Sequence, residues 1–166
     1  MIHALFQGLD KALTFNHADA HCDIPCKIYD PATAQIAALS IIRLMDLIAE
    51  LGVKEPLTLA DQAQLARLVA EKEIHAARVK DEIRVIWGDY FKQPQFEQFP
   101  ETHTLVHNIM LTGSACKQHI GRENGEKLLA LVNEFSTAFW TTKGVSTYIA
   151  ECPYPPAMQV VYPKLD

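Results

Sequence analysis

A chain of 166 residues that is 49% hydrophobic can bury one core, and no shift in composition divides it, so a single domain is expected. Its net charge of -5, with no basic cluster, argues against nucleic acid and anionic membranes as partners, and no apolar run reaches the roughly eighteen residues that span a bilayer. Four cysteines, Cys22, Cys26, Cys116 and Cys152, are too sparse for a disulfide-stapled fold and fit a reducing, cytoplasmic compartment.

Residues 1 to 20 do not read as a secretory signal, because no basic segment precedes the apolar part and Gln7, Gly8, Asp10 and Lys11 interrupt it. Ile2, Leu5, Phe6, Leu9 and Leu13 fall at helical spacing, and Ala18-Asp19-Ala20 mimics a small-residue cleavage site, so a removable leader recognised by a processing protease is expected. The next stretch, His21-Cys22-Asp23-Ile24-Pro25-Cys26, places two thiols four residues apart with a proline just before the second. Cleavage after Ala20 would give His21 a free amine. That amine, the Cys22 amide nitrogen and the Cys22 sulfur would close two adjacent chelate rings, and the Cys26 sulfur would complete a square plane. Such a donor set suits Ni(II) or Cu(II) and suits Zn(II), which prefers a tetrahedron, poorly. A disulfide between Cys22 and Cys26, as in a thiol redox protein, is the alternative.

Asp30-Pro31 reads as a helix start, and Ile41, Leu44, Met45, Ile48 and Leu51 make a stripe ending at Gly52, giving a first helix over about 31 to 51. Thr58 with Asp61 resembles a capping box, and Leu65, Leu68, Val79, Ile83 and Ile86 carry a long second helix over about 58 to 91. Pro94 and Pro100 bound a linker. A third helix then runs through Leu105 and Ile109 to Gly121, and a fourth through Leu128, Leu131, Val132, Phe135 and Phe139 to about Gly144. No stretch shows sustained strand alternation, so the expected class is all-α, an up-and-down four-helix bundle behind an N-terminal metal hook. From about residue 145 a proline-rich tail, Cys152-Pro153-Tyr154-Pro155-Pro156 through Pro163, is expected to pack in extended form against a subunit surface.

The run from His21 through Cys22, Asp23, Pro25, Cys26 and Tyr29 to Asp30-Pro31 resembles the N-terminal hook of the nickel superoxide dismutase family. Trp87-Gly88-Asp89-Tyr90-Phe91-Lys92 and the segment Phe96 to His103 are similar to two further family blocks, so that the resemblance runs from His21 to about Lys143. It implies a superoxide dismutase cycling Ni(II) and Ni(III), with His21, Cys22 and Cys26 on the metal, and a homo-oligomer, a hexamer in the family. Tyr29 and Tyr90 match tyrosines that line the approach to the metal, and Asp23 and Pro25 would pack over the site.

Three positions depart from the pattern. Lys27 replaces a family glycine and adds a positive charge beside the hook. Where the family carries a glutamate and an arginine that hold the axial imidazole, this chain has Ala37 and His75, leaving His75 as the candidate to orient His21. If those changes weaken turnover, the competing function is a nickel- or copper-binding protein for storage or sensing. His103 and His107 are four apart but lack a third ligand, and Cys116 reads as a buried hydrophobe.

Overall fold

The structure, a computed structural model, describes residues 27–165; the expected leader and the hook residues His21, Cys22, Asp23, Pro25 and Cys26 lie outside them. Helix α1, Ala32–Gly52, begins where Asp30 Oδ1 accepts the Ala32 N–H at 2.8 Å, so the aspartate satisfies an end-of-helix donor as its type predicts. It buries Ile41, Ile42, Met45, Ile48 and Leu51, together with Ala34, Ala37 and Ala38. By length and composition α1 alone among the described helices could cross a membrane, but half of that stretch is buried inside the protein, as befits a core helix.

Helix α2, Leu59–Val85, opens with a reciprocal capping box in which Thr58 Oγ1 accepts from Asp61 N at 3.1 Å and Asp61 Oδ2 accepts from Thr58 N at 3.1 Å. Its buried stripe is Lys72, Ala76, Val79, Ile83 and then Ile86, with Leu65 and Leu68 half-buried toward its start. The last turn widens into a π-helical turn, Ile86–Tyr90, closed by Phe91 N donating to Ile86 O at 3.3 Å. A six-residue helix α3, Gln93–Gln98, fills the linker read as irregular; Pro94 sits in its first turn, where a missing N–H costs nothing. Helices α4, Thr102–Gln118, and α5, Arg122–Thr142, follow, and Gly144 takes φ 73° just beyond the end of α5.

The four long helices pack in a closed circuit: α1 against α2 and α5, and α4 against α2 and α5. The protein is therefore mostly helical, with Phe91, Phe135, Phe139, Ile109 and Leu128 at its centre. Gly125 allows α5 to approach α1 closely, since a Cβ there would stand 2.8 Å from Ile42 Cγ1. Lys72 is 1% exposed on the apolar stripe, and its Nζ donates to the carbonyl oxygens of Cys116, Lys117 and His119 at 2.5, 2.8 and 3.1 Å. A cation from α2 thus closes the C-terminal end of α4, where orphan carbonyls and the helix dipole both favour positive charge.

The all-α expectation is corrected at the tail. Strands β1, Thr147–Glu151, and β2, Gln159–Pro163, form an antiparallel hairpin pairing Thr147 with Pro163 through Glu151 with Gln159. Its extended backbone was expected; its docking site is the helical body of its own chain. Val160, Val161 and Cys152 are buried, and Gln35 Nε2 of α1 donates to Val161 O at 2.8 Å. Asn133 of α5 accepts from Val161 N at 3.2 Å and donates to Gln159 O at 3.0 Å. The strands escaped notice because each is five residues long and β2 is buried on both faces, which erases the alternation that marks a half-buried strand.

Candidate metal centre

The chain enters the described structure at Lys27, and three elements converge on the residues that follow it. Tyr29, half-buried just ahead of α1, lies against Tyr90 with ring centroids 5.9 Å apart. Tyr90 comes from the π-helical turn, which adds a residue to the turn while Phe91 beside it goes into the core. The third element is the end of α5: Thr142 Oγ1 and the Tyr90 hydroxyl share a hydrogen bond of 2.7 Å, while Thr142 also donates to Phe139 O at 2.7 Å. Because the Thr142 proton goes to that carbonyl, the Tyr90 hydroxyl is the donor in the shared bond. Lys143 Nζ stands over the Tyr90 ring, 4.7 Å from its centroid, and 5.3 Å from that of Phe139. The result is an aromatic wall with a cation on it, beside the point where the hook joins the body.

Lys27 is exposed and holds φ 60°, the left-handed region that glycine enters freely. The glycine that the resemblance expects here would enter this region at no steric cost. The lysine keeps the turn and adds charge.

His75 does not belong to this cluster. It lies fifteen positions before Tyr90 on a continuous helical path, roughly 20 Å along the axis. It faces a groove of about 420 Å³ lined by Ile36, Leu39, Ser40, Arg43, Glu71 and Tyr154 among others. Its Nδ1 is buried with no hydrogen-bond partner among the described residues, and its pKa is held below 6.5, first by desolvation and then by Arg78, with Glu71 opposing. Ala37 is 1% exposed on α1 and offers no acceptor.

The remaining candidates have structural employment. His103 Nδ1 accepts from Trp87 Nε1 at 3.2 Å and its ring stacks on Phe96 with centroids 4.2 Å apart. Cys116 is fully buried and its thiol is pushed up to about 11 by burial, with Lys72 pulling the other way, so it is unreactive. Among the described residues no group of three or more His, Cys, Asp or Glu side chains gathers to hold a metal. Thr142 and Lys143 were not singled out in the sequence, because a threonine and a lysine at a helix end ordinarily read as a solvated terminus.

A mostly helical protein whose chemistry-bearing residues collect where its N-terminal segment joins the first long helix is the class this structure defines. Residues 16–143 match the profile of the family described as nickel-containing superoxide dismutase. The chain is 37% identical over 125 residues to the superoxide dismutase [Ni] of Streptomyces seoulensis, covering 75% of this chain and 88% of that one. It is likewise 37% identical over 124 residues to the enzyme of the same name from Streptomyces coelicolor. A native nickel superoxide dismutase structure superposes with a TM-score of 0.66 at 36% identity, over 75% of this chain and 99% of the other. The chain belongs to the nickel-containing superoxide dismutase family. The matched segment stops before β1, so the hairpin lies beyond it.

Proposed function

We propose that this chain is a nickel-dependent superoxide dismutase, converting two superoxide ions and two protons into dioxygen and hydrogen peroxide. The observation that carries the reading is the tyrosine pair: Tyr29 and Tyr90, 5.9 Å apart, stand beside the entry of the segment bearing His21, Cys22 and Cys26. Nickel, when bound, supplies a one-electron couple between Ni(II) and Ni(III) that superoxide can both reduce and oxidise. The donors fit that ion. The Cys22 and Cys26 thiolates, the Cys22 amide nitrogen and the His21 amine would hold it, anionic and polarisable donors that stabilise an oxidised nickel ion, while copper would be the lesser occupant. The His21 imidazole would add a further nitrogen donor.

Around that centre the chain's own side chains have distinct tasks. Tyr29 and Tyr90 narrow the approach, with Tyr90 held by Thr142, and Asp23 and Pro25 would pack over the metal site. Lys27 and Lys143 offset, close to the approach, a net charge of -5 that repels an anionic substrate. His75, remote from the tyrosine pair, takes part of the arginine's place in orienting His21 provided that the hook folds back over the groove it faces; its Nδ1, with no partner among the described residues, supports this. The wider reading is an up-and-down four-helix bundle with an N-terminal hook, a leader removed after Ala20 by a processing protease, a hexameric homo-oligomer and a cytoplasmic location. The last is supported by Cys116 and Cys152, both buried and free among the described residues. The buried Ala37, which cannot accept the imidazole proton, favours a second reading, a nickel- or copper-binding protein for storage or sensing.

The test compares the full chain with one beginning at His21. The shorter chain should bind Ni(II) far more tightly at neutral pH and turn over superoxide, and Cys22→Ser or Cys26→Ser should abolish both while helix content persists. Equal affinity of the two chains would remove the amine ligand from the scheme. Tight nickel binding without turnover would establish storage or sensing instead.

A further inference from the structure

The two strands of the hairpin meet their surroundings unequally. Lys164 N donates to Ser146 O at 2.8 Å and Cys152 N donates to Met158 O at 3.0 Å. In the observed register these bonds make Tyr148 with Tyr162 and Ala150 with Val160 the hydrogen-bonded pairs. The odd-numbered residues therefore turn their N–H and C=O groups away from the partner strand. On β2 those groups are satisfied, since the N–H and C=O of Val161 and the C=O of Gln159 meet Asn133 and Gln35. On β1 the corresponding groups of Thr147, Ile149 and Glu151 have no partner among the described residues. Only Glu151, at its end, blunts this edge. The strand Thr147–Glu151 contains no proline and no lysine, and Tyr148 and Ile149 are 51% and 67% exposed.

We propose that the occupant of this edge is a second copy of the chain, β1 against β1, antiparallel about a two-fold axis through Ile149. The three outward-turned residues map onto themselves only about that axis. Ile149 then faces Ile149 of the second copy, and Thr147 faces Glu151 of the second copy. Each such pair exchanges N–H to C=O bonds in both directions. The pairing is self-complementary in charge and size: Glu151, the strand's sole charge, meets a threonine rather than a carboxylate, and Tyr148 meets Ala150. The joined hairpins form a continuous four-stranded sheet, and because β1 lies outside the segment shared with the relatives, this contact belongs to the added tail. It is independent of the metal chemistry.

The experiment is a dilution series of the full chain followed by light scattering, beside Ile149→Pro and Ile149→Lys. Proline at 149 removes an N–H that points outward, so the intrachain hairpin keeps its bonds. Lysine leaves the backbone intact and opposes two like charges across the axis. Whatever contacts the helical body makes, both variants should lose the β1 contact, with a fall in assembly mass or a dissociation midpoint shifted upward by roughly tenfold or more. Ile149→Cys should form, on mild oxidation, a link between the two 149 sulfurs that peptide mapping identifies. Identical masses and midpoints for parent and both variants, with no such link, would overturn the proposal and leave the edge to an extended segment of another protein.

Discussion

Lys27 holds a backbone that costs a residue with a side chain about 1 kcal/mol or more, and its charge lies close to the hook. Strain and charge separate by substitution. Lys27→Gly removes both, whereas Lys27→Asn removes the charge but keeps a side chain that tolerates the left-handed region. Both variants should react with superoxide more slowly than the parent at low salt and converge with it at high salt, while Lys27→Gly alone melts at higher temperature. Rates measured against ionic strength decide this, and an unchanged salt dependence in Lys27→Asn would end the steering role. His75 makes a prediction of opposite character. Its folded pKa lies below 6.5, so as pH falls through that value the unfolded chain takes up a proton that the folded chain resists. Stability is therefore intact above 6.5 and falls as pH drops from there toward the lower folded value. Urea unfolding at about pH 7.5 and about pH 5.5 should show the parent losing more stability than His75→Gln; equal losses would mean that the ring is solvated in the folded protein.

Between helices, Gly125 makes a close approach of α5 to α1 possible. Gly125→Ala drives a methyl to 2.8 Å from Ile42 Cγ1 and must push α5 off α1, at a cost of about 1 to 3 kcal/mol. Denaturant unfolding measures it, and Ile42→Ala should make the alanine at 125 less costly by opening the space; a Gly125→Ala variant as stable as the parent would show that the two helices part freely. The helices themselves were legible. Asp30-Pro31 and Thr58 with Asp61 are local start signals, Gly52 and Gly144 mark ends, and the apolar residues between them recur at 3.6. Lys72 was not legible, because in sequence a lysine interrupts an apolar stripe; its partners are carbonyl groups more than forty positions away on α4. The π-helical turn was hidden for a similar reason, since one extra residue in a turn leaves the hydrophobic period almost unchanged.

Across the whole molecule, what the sequence disclosed of the site was its chemistry, and what it withheld was its setting. His21, Cys22 and Cys26 suggest a metal hook by type and spacing, beside the alternative of a Cys22–Cys26 disulfide, and they lie outside the described residues. The anchoring of Tyr90 by Thr142 and the placing of Lys143 on its ring join positions some fifty apart, and depend on the closed circuit of helices. The bonds that fasten β2 reach further still. Gln35 and Val161 are 126 positions apart, and Asn133 and Gln159 are 26 apart, so the tail is held by residues made early and residues made late. Gln35 is made long before Val161, so α1 and α2 can form before the strand that fastens onto the helical body exists. Closure over such a span costs chain entropy before any contact returns it, so the hairpin is expected to dock after the helices that seat it have formed. Without β2, the seat for Val160 and Val161 that Gln35 and Asn133 frame would stand open to solvent and to proteases.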